Sequence, residues 1–230
     1  MSAPVLQLDL DIHVALRAGT RHFDLRVQCS SASRRIVIYG PSGAGKSVTL
    51  KAIAGLLTPA SGHIRLAGRT LFDRAGGVDL APRARKVAYL FQDYALFPHL
   101  TVRQNVAFGL ARGWLNPGRE AADQAVEQWL RAFGLVELAR HMPAQLSGGQ
   151  RQRTALARAL VSEPDALLLD EPFAALDPAL RTTMRAELDA LQRRLNVPMI
   201  LITHDPGDAE ALGEHVLHLR EGRIDPARAP

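Results

Sequence analysis

Hydrophobic and polar positions alternate in two stretches near the start of the chain, VLQLDLDIHVAL and HFDLRVQ. A period of two marks a strand with one buried face, so residues 5–28 predict antiparallel edge strands. At Arg35–Tyr39 (RIVIY) the alternation becomes an apolar run, which predicts a short buried strand. That run leads into GPSGAGKS and then VTLKAIAGLL, whose apolar positions recur at helical spacing until Thr58-Pro59 ends them. HIRLAGRTLF predicts a hairpin pivoting near Gly68, and KVAYLF (86–91) another strand. Residues 93–145 read as loops and helices, with DQAVEQWLRAFG the clearest helix. A helix (151–162), a strand (ALLLD, 166–170), a helix (179–195), a strand (PMILIT, 198–203) and further alternation follow. Strands alternating with helices imply a mostly parallel sheet covered on both faces. The expected fold class is therefore α/β: one domain, 1–230, with 1–92 and 151–230 as its core. The helical subdomain 93–150 is inserted in it.

Composition narrows the classes without choosing among them. The 230 residues are 47% hydrophobic, enough for a large core. The single cysteine, Cys29, rules out an internal disulfide and fits a reducing compartment. The opening MSAPVLQLDLDIHV has no basic head before a long apolar run, so no signal peptide is expected. Apolar runs such as Ile36–Tyr39 and Met199–Ile202 fall far short of the roughly 20 residues that cross a bilayer. The net charge of +5 permits an anionic partner, but it comes from scattered arginines without a like-charge run. Nucleic acid is not expected as a partner.

Four strand ends carry candidate chemistry. Gly40-Pro41-Ser42-Gly43-Ala44-Gly45-Lys46-Ser47 fits G-x4-G-K-[ST]. Its glycines let backbone N–H groups wrap a phosphate, Lys46 reaches the β- and γ-phosphates, and the Ser47 hydroxyl is a ligand for Mg²⁺. Chance produces this pattern in about one chain of this length in a hundred, and here the required strand and helix flank it. The strand 166–170 ends in Asp170-Glu171, carboxylates delivered to the sheet edge where open α/β folds bind ligands. Asp170 is placed to hold Mg²⁺ through water, and Glu171 to orient or deprotonate an attacking water. A merely solvated acidic strand end is the plain alternative, weakened by the phosphate loop. His204 ends the strand 198–203 within reach of a γ-phosphate, although a lone histidine there is more often structural. Gln92 ends KVAYLFQ and reads either as a contact to metal or water, or as an ordinary polar strand end.

These pieces in this order resemble the ATP-binding subunits of ABC transporters. Beside the phosphate loop stand a Q-loop, LFQDYALFPHLTVRQNVAFGL (90–110), the signature LSGGQ (146–150), the strand ALLLDEP, AALD (174–177) and ITHD. The resemblance covers nearly the whole chain. It implies a P-loop NTPase fold and an ATP site shared head to tail by two subunits. By that analogy Ser147, Gly149 and Gln150 bind the γ-phosphate of ATP held on the partner, and Asp177 crosses the interface to organise the water. It further implies ATP and Mg²⁺ as cofactors and a second, identical copy as partner. The same resemblance implies a separate integral membrane permease driven from the cytoplasmic face of the inner membrane, with a periplasmic or extracellular solute-binding protein as indirect partner. LFQDYALFPHL is similar to importer subunits, in which Tyr94, Leu96, Phe97, Pro98 and Leu100 either receive a helix of the permease or form the core of the helical block. GRTLFD (68–73) followed by VDLAP (78–82) resembles the molybdate and sulfate branch.

The sequence also departs from that family. Val48 stands where many relatives carry a hydroxyl against the α-phosphate, and Thr49 is turned about 100° away on a helix. No aromatic stands in DIHVALRAG to stack adenine, leaving His13 or Arg17 as candidates. The chain stops soon after EGRI, so a C-terminal regulatory domain is not expected. An ABC-type ATPase acting on nucleic acid or ribosomes is disfavoured by the short 101-position spacing of Lys46 and Ser147. A GTPase is disfavoured because no N-K-x-D is present.

Overall fold

The computed structural model describes residues 7–19, 21–110, 116–118, 123–174 and 176–225. Among them run the strands β1 (Leu8–Ala18), β2 (Arg21–Ser31), β3 (Arg35–Tyr39), β4 (Ser61–Leu66), β5 (Arg69–Asp73), β6 (Val78–Asp79), β7 (Val87–Leu90), β8 (Ala166–Asp170), β9 (Met199–Thr203), β10 (His215–Arg220) and β11 (Arg223–Ile224). The α-helices are α1 (Lys46–Ala54), α2 (Val102–Phe108), α3 (Gln124–Ala132), α4 (Gly148–Leu160), α5 (Pro178–Leu195) and α6 (Pro206–Leu212). The strands follow the order β6-β5-β4-β1-β2-β11-β10-β3-β9-β8-β7.

The order divides the sheet by pairing type. β1 pairs antiparallel with β2, from Leu8 opposite Ser31 to Ala18 opposite Arg21, and antiparallel with β4. β3 pairs parallel with β9 and β10, and β8 parallel with β9. The burial follows the sequence periods. Leu8, Leu10, Ile12 and Val14 of β1 are buried while the residues between them are not, and all five residues of β8 and of β9 are buried. Parallel strands covered on both faces need this unbroken apolar character.

The chain forms two compact units. The first takes in the chain up to Val87, Asp165–Glu171 and the chain from Glu187 onward; the second is Ala88–Pro164 with Pro172–Ala186. The second unit has its own core, in which Val102 and Val106 of α2, Val126 and Leu130 of α3, and Ala157 of α4 pack together with Leu135 and Leu146.

The structure differs from the sequence expectation at α4, which begins at Gly148 rather than 151. Ser147 Oγ accepts from the Gln150 N–H (3.3 Å) and Ser147 N–H donates to Gln150 Oε1 (2.8 Å). This reciprocal cap offsets the poor helix propensity of the two glycines that follow it.

Candidate functional site

In the first unit, the ends of β3, β8 and β9 converge because these three strands are parallel neighbours. The turn after β3 runs directly into α1. Gly45, the N-cap of α1, has φ +104°, and a Cβ there would lie 2.6 Å from Leu25 Cδ1 and 3.0 Å from Phe23 Cζ. Only glycine fits that backbone and that gap. No side chain caps α1, so the first-turn N–H groups, at the positive end of the helix dipole, are left for an anion.

Lys46 lies almost wholly buried beneath this loop. Its ammonium donates to Gly40 O (2.8 Å) and Pro41 O (3.1 Å) and stands 3.4 Å from Glu171 Oε1. Ser47 Oγ donates to Asp170 Oδ1 at 3.1 Å. Glu171 Oε2 meets His204 Nδ1 at 2.9 Å. Lys46, Ser47, Asp170, Glu171 and His204 are thus linked at one sheet edge. Glu171 holds a left-handed backbone (φ +46°) while its N–H donates to Ile202 O. That conformation costs a non-glycine residue about 1–3 kcal/mol and is tolerated where the surroundings fix it. Pro41, Ser42 and Gly43 are exposed at the loop tip, whereas Gly40, Ala44 and Gly45 are buried.

Neighbouring residues fix this edge. Thr203 Oγ1 donates to Asp208 Oδ2 (2.7 Å), and Asp205 accepts from the Gly207 N–H (2.8 Å), starting α6 directly after His204. Buried Arg35 donates to Ala211 O and Leu212 O at the other end of α6, and to Asp189. Arg85 does the same for α1, donating to Ala52 O and Ile53 O. These arginines were not singled out in the sequence, where they read as scattered charge. Thr49 donates back to Gly45 O (3.1 Å) and is fully buried, so it does not stand in for the hydroxyl missing at Val48. His13 is bonded to the Asp24 carboxylate, and Arg17 is exposed.

The remaining candidates lie in the second unit. Ser147 and Gln150 form the α4 cap, while Asp177 Oδ1 accepts from the Leu180 N–H (3.0 Å) at the start of α5. Gly149 has Leu180 Cδ1 3.3 Å from where a Cβ would stand, and Gly148 has Leu176 Cδ2 at 3.1 Å, so both glycines admit close packing. Gln92 is exposed, two residues before Tyr94. Tyr94 and Leu100 are buried; Leu96 and Phe97 are half-buried and Pro98 is exposed. Burial pushes the Tyr94 phenol above its usual range, and its O–H donates to Pro172 O. Tyr94 and Leu100 are therefore core residues.

The family model described as ABC transporter matches residues 24–174. The chain belongs to the ABC transporter family. As a member of it, the chain is 45% identical over 212 residues to the molybdenum import ATP-binding protein ModC of Mycobacterium tuberculosis (strain CDC 1551 / Oshkosh), covering 91% of this chain and 58% of ModC. It is 42% identical to the trehalose/maltose import ATP-binding protein MalK of Thermococcus litoralis, covering 85% of this chain and 52% of MalK. It is 45% identical to the spermidine/putrescine import ATP-binding protein PotA of Pseudomonas aeruginosa, covering 84% of this chain and 51% of PotA. The chain spans little more than half the length of these relatives. A dimeric structure of the ATP-binding cassette MJ0796, in a post-hydrolysis state bound to ADP and Pi, superposes with a TM-score of 0.75 at 28% identity over 96% of both chains. This ABC transporter chain accordingly has the fold of a P-loop NTPase. Among its described residues, no helix is long and apolar enough to cross a membrane.

Proposed function

We propose that this chain is the ATP-hydrolysing subunit of an importer, working as a pair of identical copies at the cytoplasmic face of the membrane beneath a separate permease. The observation that carries the reading is the linked set Lys46, Ser47, Asp170, Glu171 and His204 at the mouth of an uncapped α1. The backbone of Gly40–Gly45 wraps the phosphates and Lys46 supplies the positive charge at the β- and γ-phosphates. Glu171 orients the attacking water and takes its proton as the water oxygen bonds to the γ-phosphorus. The bond to the β–γ bridging oxygen breaks, leaving ADP and phosphate. His204 fixes the Glu171 carboxylate through Nδ1 and presents Nε2 to the γ-phosphate.

Mg²⁺ fits the residues present. Ser47 Oγ and Asp170 Oδ1 are hard oxygens 3.1 Å apart, the kind of small donor set this ion takes alongside waters and phosphate oxygens. Ser47 and Asp170 would hold it, and once bound it would neutralise charge on the phosphate oxygens.

Ser147, Gly149, Gln150 and Asp177 serve the ATP of the partner copy in this reading, and a solute-binding protein delivers solute to the permease. The transported solute is an oxyanion such as molybdate or sulfate. The name of the ModC relative and the GRTLFD and VDLAP segments support that class. Lys46→Ala should abolish ATP hydrolysis and uptake of labelled molybdate. Turnover near that of the unaltered protein overturns the enzymatic reading, and unchanged uptake overturns the oxyanion reading.

A further inference from the structure

The segment after Gln92 holds two successive non-glycine residues in the left-handed region, Tyr94 (φ +63°) and Ala95 (φ +43°). L-residues rarely adopt that state, so something must hold it. Arg158 of α4 does so with both arms of its fork. Nη2 donates to Tyr94 O and Nη1 to Ala95 O, each at 2.7 Å, and its guanidinium carbon lies 5.6 Å from the centroid of the Phe97 ring. A planar, five-donor group can grip two successive carbonyls while stacking on a ring, which a lysine ammonium cannot. The rest of the segment is held from another helix. Asn105 of α2 accepts from the Phe97 N–H (2.9 Å) and donates to Leu100 O (3.0 Å).

Arg158 lies eleven residues beyond Ser147, the N-cap of the same helix, which is about three turns and so nearly the same face. We propose that Arg158 is the positioning residue through which α4 sets the conformation of Tyr94–Phe97, so that a shift of the Ser147 end is carried into the loop beyond Gln92. The clamp stands on the geometry alone; its coupling to ATP rests on the functional reading above. Arg158 acts only through the loop.

Hydrogen exchange tests both halves, using Glu171→Gln and Glu171→Gln/Arg158→Lys, each with and without Mg-ATP. Without nucleotide, R158K should speed exchange of the Tyr94 and Ala95 amides about tenfold and leave the Phe97 amide and α2 unchanged. Equal exchange at Tyr94 and Ala95, or a general rise that includes α2, overturns the clamp. With Mg-ATP, the single variant should slow those two amides about tenfold, and the double variant less than about twofold, while still forming a dimer. Equal slowing in both proteins overturns the coupling. Absence of an ATP-held dimer in the single variant overturns the functional reading instead, and the nucleotide-free comparison still judges the clamp. Should R158K fail to fold, Phe97→Leu keeps the fork but removes the ring face. It should speed the same two amides severalfold, and no change there overturns the clamp.

Discussion

Replacing Arg85 with methionine should destabilise the first unit by about 3–5 kcal/mol. The side chain is 1% exposed and makes four hydrogen bonds, to Ala52 O (2.8 Å), Ile53 O (3.0 Å), Leu80 O (2.7 Å) and Asp79 Oδ1 (3.0 Å). Each bond from a charged donor contributes about 1.5–3 kcal/mol, and removing the donor strands buried carbonyls at roughly 1–3 kcal/mol apiece. Loss of a cation from the C-terminal end of α1 adds about 0.3–1 kcal/mol. Two effects reduce the sum: the Gly55 N–H still serves Ala52 O, and methionine fills most of the vacated volume without a charge to desolvate. The Asp79 contact contributes little, because that carboxylate is nearly half exposed, so Asp79→Asn should cost under about 1 kcal/mol. Equilibrium urea unfolding followed by far-UV circular dichroism measures both. An R85M protein within about 1 kcal/mol of the original would refute the reasoning. So would equal losses from R85M and D79N, since the charge pair and not the carbonyls would then be the source.

Other residues give sharp expectations. Gln152 of α4 is fully buried, and neither its Nε2 nor its Oε1 has a hydrogen-bond partner among the described residues. Gln152→Met should therefore raise stability by about 1–2 kcal/mol in scanning calorimetry, and a loss of stability contradicts this. Burial holds the His215 imidazole below its usual pKa of 6.5, beside Ser31 Oγ at 2.6 Å. The unfolded chain then binds more protons than the folded one. This contribution to stability is complete above the ordinary imidazole pKa and is lost as pH falls through the lowered one. His215→Gln should flatten the decline of Tm between about pH 7.5 and 5.5, and an unchanged slope refutes the assignment. Burial, with the nearby Asp9 carboxylate, pushes the Cys29 thiol up to about 12. Iodoacetamide should modify the folded protein at least about a hundredfold more slowly than free cysteine, and labelling at the free rate would contradict that environment.

Local pattern carried the sheet and the phosphate loop because both obey short-range rules. The alternation of β1 and the solid apolar runs of β8 and β9 translate directly into burial, and Ala67-Gly68 turns the β4–β5 hairpin with positive φ at both residues. The start of α4 is legible in S-x-x-Q, Ser147 to Gln150, even though two glycines directly follow the cap. The start of α2 likewise rests on a reciprocal cap, in which Thr101 and Gln104 exchange bonds. What stayed illegible is long-range. The grips of Arg35 on α6, of Arg85 on α1 and of Arg158 on Tyr94–Ala95 join residues 32 to 177 positions apart. A lone arginine in sequence reads as solvated charge, and only folding shows which ones are drawn inward to satisfy helix ends and strained carbonyls. The same holds for Tyr94 and Leu100, whose burial in the second unit no spacing rule announces.

ATP should join two copies of this chain, and hydrolysis should let them part. Light scattering on Glu171→Gln with Mg-ATP tests it most directly. The expected particle has twice the 25.0 kDa chain mass and reverts to the single-chain mass when ATP is removed. A particle that binds ATP yet stays at 25.0 kDa would contradict it.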